Sequence, residues 1–177
     1  MKNNAPTQPT SWTTLPERIR NHLADRAPVH ADGTIRIVTA MTPNWPELAS
    51  LGTGEIALGD DGLIRVALWS ASKCCATLLG ARRATLLLSE DDGTWEVRCL
   101  VIGNASLATP QPLSGFLLKP AEILDGCVSL SVRGFRRAGR TPEDSQNHAV
   151  ETRLALFDAF PVGDDGETAP PGIANTS

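Results

Sequence analysis

The chain has 177 residues, a net charge of −4, 41% hydrophobic residues and 5% aromatic residues, with no tyrosine. That length suits one domain that buries roughly two-thirds of its unfolded surface, so neither metal nor disulfide is needed to hold a core. The mild negative charge argues against a general nucleic-acid surface, which needs clustered excess lysine and arginine.

Residues 1–12 are polar and proline-containing and read as a loose tail without the apolar stretch of a secretory signal. Thr14-Leu15-Pro16-Glu17 has the form of a capping box, and Leu15, Ile19, His22 and Leu23 recur at helical spacing, which predicts a helix to about residue 25. Asp32-Gly33 marks a turn, and residues 34–41 are rich in β-branched side chains and predict a strand. Thr42-Pro43-Asn44-Trp45-Pro46 breaks that strand. Residues 54–58 predict a second strand, Asp60-Asp61-Gly62 a hairpin turn, and residues 63–69 the returning strand. A polar turn over 70–73 leads to a helix with Cys75, Leu78 and Leu79 inward and Gly80 as its stop. Residues 84–89 predict a buried strand, and Glu90-Asp91-Asp92-Gly93 another turn. Over 94–102, Trp95, Val97, Cys99 and Val101 alternate with Glu96 and Arg98. Residues 103–115 predict a loop, and 120–124 a single helical turn. Residues 127–135 and 150–157 alternate as strands, a short helix being the other form open to 150–157.

From residue 161 the chain is acidic, contains proline and glycine, and reads as a second loose tail, so the folded domain spans 13–160. No apolar run reaches the roughly 18 residues of a membrane span, and a cytoplasmic location is expected, where thiols stay reduced. Six or seven antiparallel strands with two or three short helices make a mainly β (α+β) domain, a small closed or partly closed barrel.

No nucleophile-elbow, zinc-protease, Walker or dinucleotide-fingerprint motif occurs in the sequence. Cys74, Cys75, Cys99 and Cys127 form no CxxC pair, and none stands at zinc spacing from His22, His30 or His148. Cys99 and Cys127 read as small core residues. The Cys74-Cys75 pair at a helix start is either helix packing or the setting of a low-pKa thiolate. Asp60-Asp61, Asp91-Asp92 and Asp164-Asp165 all stand at turns, where aspartate bonds local backbone. Arg133, Arg136, Arg137 and Arg140 read as a solvated strand end and turn. Trp45, between prolines, is either a loop anchor packed on the barrel or a stacking surface for a ring. Arg65 either reaches a phosphate from the strand or, as alternation places it, lies on the face opposite Val66 and Leu68.

One segment concentrates donors: the strand Leu63-Ile64-Arg65-Val66-Ala67-Leu68-Trp69, the turn Ser70-Ala71-Ser72-Lys73, then a helix. A helix start presents unpaired N–H groups and partial positive charge, and two hydroxyls with an ammonium in the same turn make a phosphate cradle. The same residues also fit an ordinary serine cap beside a solvated lysine.

The stretch from about residue 50 to 88, carried by Leu51-Gly52-Thr53-Gly54-Glu55-Ile56-Ala57-Leu58, by the strand–turn segment above and by Thr77-Leu78-Leu79 before Arg83-Ala84-Thr85-Leu86, resembles the pyridoxamine 5'-phosphate oxidase-like FMN-binding split-barrel family. The resemblance implies a split β-barrel, FMN as cofactor, and a homodimer with the cofactor at the subunit interface. It implies that Ser72 and Lys73 hold the FMN phosphate, that Trp69 and Ser70 flank the ring and ribityl chain, and that Ala67 and Leu68 lie along the flavin. Thr39 and Ala40 would offer backbone to the ring, and Arg98 a polar contact from the second subunit. The turn carries one basic residue followed by Cys74, where many members have two, and the oxidase's C-terminal Trp and Arg motif is not visible after Val150. Pyridoxamine phosphate oxidation itself is therefore not expected. The implied function is a flavin-dependent oxidoreductase acting on a small molecule. The alternatives are a non-catalytic flavin or small-ligand carrier or sensor, and an assembly scaffold without flavin.

Overall fold

The computed structural model describes residues 15–24, 35–41, 43, 45–52, 54–90, 93–126 and 142–162. Helix α1 (Glu17–Ala24) is followed by strands β1 (Ile35–Thr39), β2 (Glu47–Leu51), β3 (Ile56–Leu58) and β4 (Ile64–Trp69). Helix α2 (Lys73–Ala81) leads to β5 (Arg83–Glu90), β6 (Gly93–Ser106), β7 (Leu113–Gly126) and helix α3 (Pro142–Ala159). The seven strands form one sheet in the order β2-β1-β5-β6-β7-β4-β3, antiparallel at every pairing.

The sheet curls around α2. That helix touches β1 and β2 near one end of the sheet order and β4 near the other, which a flat sheet would not allow. The concave face carries the main core: Ile37 of β1, Ile64 and Val66 of β4, Leu86 and Leu88 of β5, Val97 and Cys99 of β6, and Phe116 and Leu118 of β7. Cys74, Cys75 and Leu78 of α2 fill its centre, and Leu15, Ile19 and Leu23 of the α1 region close it. The period-two alternation of the strands produces this face directly. On the convex face, α3 covers β4 and β7: Ala155 and Leu156 pack on Ala67, Leu107 and Leu113, and Phe160 packs on Leu63 and Leu117.

Several expected elements fall elsewhere. Residues 47–51, for which the local pattern predicts no element, form the edge strand β2, paired to β1 from Thr39 opposite Glu47 to Ile35 opposite Leu51. Of the expected loop over 103–115, residues 107–112 do connect two strands, but 103–106 end β6 and 113–115 begin the long β7, which also takes the place of the helical turn expected over 120–124. Pro120 is tolerated in β7 because β4 pairs only as far as Leu118 and a register shift lies opposite, between Arg98 and Cys99. Residues 150–157 lie inside α3, not in a strand. The strand expected over 127–135, the Thr14 cap, the first tail and the second tail beyond residue 162 lie outside the described residues. α2 passes Gly80 and ends at Ala81, with Arg82 as a left-handed cap (φ 55°) whose N–H donates to the Leu78 carbonyl at 3.0 Å.

Candidate functional site

β4 delivers its last residue, Trp69, to the rim of the curled sheet, and the chain turns there into α2. The turn is closed by the Ser72 N–H donating to the Trp69 carbonyl at 2.9 Å, and it is tied to the strand beside it by the Ser70 N–H donating to the Pro112 carbonyl at 2.9 Å. The Ser70 and Ser114 hydroxyls share a bond of 2.8 Å. Ser72 is the N-cap, with φ −77° and ψ 147°, and its Oγ accepts from the Cys75 N–H at 3.1 Å. The Ala76 N–H is taken by the Ser72 carbonyl at 3.1 Å. By helix geometry the N–H groups of Lys73 and Cys74 have no intrahelical acceptor, and the Ser72 hydroxyl keeps its own proton to donate. Lys73 is exposed, and no acidic residue stands in the first turn to neutralise it. Ser70, Ser72, Lys73 and two helix N–H groups therefore form one open, positively polarised corner.

Thr39 meets this corner from inside. It is 1% exposed and its Oγ1 donates to Cys74 Sγ at 3.5 Å. Burial pushes the Cys74 thiol up, with the Thr39 bond acting the other way and Cys75 and Glu47 adding to the rise. This corrects the thiolate alternative for Cys74: the group is a buried thiol held protonated. Cys99 is also sealed, its thiol pushed up to about 12 by burial.

Of the remaining candidates, those of β4 lead up to the corner and Arg98 lies away from it. Ala67 is 2% exposed beneath α3 and Leu68 is 4% exposed in the concave core, so neither side chain reaches a surface of the single chain. Trp69 stays open at 40%. Arg98 lies on the convex face of β6, bonded to Glu96 at 2.7 Å and Glu122 at 2.8 Å. Ser106, opposite Ser114, is eight residues further along the same strand, at most roughly 26 Å of strand from Arg98. Arg65 faces away from the concave core, as its alternation predicts. It is fully enclosed under α3, where its guanidinium pairs with Asp61 at 2.8 Å and donates to the Phe160 carbonyl at 2.9 Å, which corrects its alternative reading as a phosphate contact. Trp45 is 89% exposed, which corrects the expectation of a loop anchor packed on the barrel. Ser114 and the Asp61–Arg65 pair escaped sequence reasoning, because each depends on which strand lies beside β4.

No protein-family model matches the chain, and no curated protein is significantly similar to it in sequence. Among solved structures, a Lactobacillus delbrueckii protein provisionally named a pyridoxamine 5'-phosphate oxidase superposes with a TM-score of 0.51 at 10% identity, covering 67% of this chain and 99% of that one. The fold is a split barrel. An F420 reductase (TM-score 0.47, 12% identity, 62% of this chain and 98% of that one) and an FMN-binding protein from Syntrophomonas wolfei (TM-score 0.40, 20% identity, 66% and 92%) are further similar chains. Within this split barrel, the corner over 70–73 sits where the central helix leaves the sheet rim. Among the described residues no helix is long and apolar enough to cross a membrane.

An FMN phosphate suits the donor set of that corner: one ammonium, one free hydroxyl proton and two N–H groups. The ring end is less complete in one chain, since Ala67 and Leu68 are covered and only Trp69 and the backbone beyond Thr39 remain open.

Proposed function

We propose that this split barrel is a cytoplasmic FMN-binding protein that acts as a flavin-dependent oxidoreductase on a small molecule. One observation carries the reading: a hydroxyl- and lysine-bearing turn opens the helix that the sheet encloses, in a fold shared with a pyridoxamine 5'-phosphate oxidase-like protein. Ser72, Lys73 and the first-turn N–H groups would receive the phosphate. Thr39 and Ala40, at the end of β1, would offer backbone to the ring, and Trp69 and Ser70 would flank the ribityl chain. Bound FMN supplies hydride or single-electron transfer, while the chain binds and orients it. Ala67 and Leu68 would act from beneath, setting the shape of β4 rather than touching the ring. Arg98 would serve a site only across a subunit boundary, which makes the homodimer part of the proposal.

Lys73→Ala tests the cradle. FMN affinity, followed by quenching of flavin fluorescence, should fall roughly tenfold or more, the scale of a charge-assisted contact. Unchanged affinity would remove the cradle from this turn.

A second reading is favoured by the company the corner keeps. Ser70, Ser72 and Thr39 bring no imidazole or open thiolate to it, and the Glu47 carboxylate near the helix start stands by the buried Cys74 thiol, which suits a flavin carrier or sensor. Stopped-flow mixing of the FMN-loaded protein with NADH or NADPH separates the two, since only the oxidoreductase should bleach the flavin absorbance.

A further inference from the structure

Trp45 belongs to no core cluster among the described residues. It is 89% exposed, although a tryptophan offers among the largest apolar areas a chain can bury. It stands between Pro43 and Pro46, whose fixed φ angles restrict the loop and lower the entropy lost when the indole is immobilised. The loop's position is set by three contacts. Thr39 and Glu47 are register partners where the loop begins and ends. Thr39 bonds Cys74 in the first turn of α2, and Glu47 is close enough to raise the Cys74 thiol. Met41, itself 41% exposed, lies over Gly80, where an added Cβ would meet its sulfur at 3.0 Å. Both ends of the loop that carries Trp45 are therefore held at the first turn of α2, while Met41 takes the chain over Gly80, near the other end of that helix. Two residues separate Trp45 from Glu47, at most about 7 Å of chain.

We infer that Trp45 is the ring-stacking residue of this site: its indole covers the planar ring of the ligand whose phosphate the Ser72–Lys73 turn receives. The inference rests on the FMN reading and adds to it the residue that grips the ring. An exposed indole on a restricted loop beside an anion corner has the two-part form of a site that takes a phosphorylated aromatic ligand, with charge at one end and a π-face at the other. A second copy of the chain packing on Trp45 is the competing occupant.

The test compares wild type, Trp45→Ala, Trp45→Phe and Lys73→Ala in titrations with FMN and with lumiflavin, the ring without its phosphate. Trp45→Ala should weaken both ligands roughly tenfold, Trp45→Phe should recover most of the loss, and inorganic phosphate should compete with FMN equally well in wild type and Trp45→Ala. Lys73→Ala should weaken FMN and leave lumiflavin unchanged. If Trp45→Ala binds both flavins like wild type while Lys73→Ala loses FMN, the stacking role is overturned and the FMN reading stands. If wild type binds neither flavin, both are overturned together. A blue shift of tryptophan emission with rising protein concentration, present in wild type, absent in Trp45→Phe and independent of flavin, would assign Trp45 to a protein contact and overturn the inference.

Discussion

Arg65 and Asp61 show how one buried ion pair sets the position of a helix. Their side chains are 0% and 4% exposed. Two guanidinium–carboxylate bonds, of 3.1 and 2.8 Å, join them, while the guanidinium also reaches the Leu63 carbonyl at 3.1 Å and the Phe160 carbonyl at 2.9 Å. The Phe157 ring lies 5.0 Å from the guanidinium carbon. Charge this deeply enclosed is tolerated because nearly every donor is used. Gly59 is part of the arrangement, since a Cβ there would stand 2.2 Å from an Arg65 nitrogen. Burial alone would raise the Asp61 carboxyl, but the bonds from Arg65 and the Leu63 N–H outweigh it and hold the group below its ordinary value. A depressed folded value means stability that is fully present above the unfolded carboxylate range and is lost as pH falls through the folded value. Asp61→Asn should therefore cost about 3–5 kcal/mol at neutral pH, measured by urea unfolding. That cost should shrink as the pH is lowered below about 4. An unchanged difference between pH 7 and pH 3 would show that the pair is not linked to protonation. The buried thiol of Cys99 gives a simpler test: iodoacetamide at pH 8 should leave it unlabelled in the folded protein and label it in urea.

At the scale of elements, α2 is the part on which both packing and site depend. Its start is written locally, in the Ser72 cap, and Ser72→Ala should cost about 1 kcal/mol in thermal unfolding while also removing a donor from the corner. Its end is not: the left-handed cap is Arg82, whose guanidinium donates to the Asn104 side chain at 3.0 Å. Helix α3 shows why local pattern misleads. Val150, Thr152, Leu154 and Leu156 alternate like a strand, yet Val150 and Leu154 are 58% and 61% exposed while Thr152 and Leu156 are 0%. The buried set, with Ala149, Ala155 and Phe160, recurs at helical spacing. Gly54 shows how close that helix comes: its φ is +86°, and a Cβ would lie 2.1 Å from the Ala149 carbonyl oxygen. The short strand β2 was illegible for the opposite reason, since Glu-Leu-Ala-Ser-Leu carries no β-branched residue and is a strand only because β1 offers it an edge.

Across the whole molecule the two faces of the sheet are treated unequally. α3 covers the convex side of β4 and β7, whereas on β2 and β6 that side leaves Leu48 57% exposed and Leu100 44% exposed. A homodimer through this face would bury Leu48 and Leu100, and is the arrangement the proposed role of Arg98 requires. Leu48→Lys/Leu100→Lys should then halve the mass seen by light scattering and weaken FMN binding, whereas a monomeric wild type would sink the dimer. Local chemistry in the sequence determined the turn chemistry at 60–62 and 70–73, the β3–β4 hairpin, the central helix and the alternation that makes one face apolar, because caps, turns and period-two patterns act within a few residues. Only the tertiary structure decided that 113–126 is a strand despite Pro120, that 142–159 is a helix, that Arg65 is sealed and that Trp45 is bare. Each of those outcomes depends on which distant segment lies alongside, and burial against a partner far along the chain outweighs local preference.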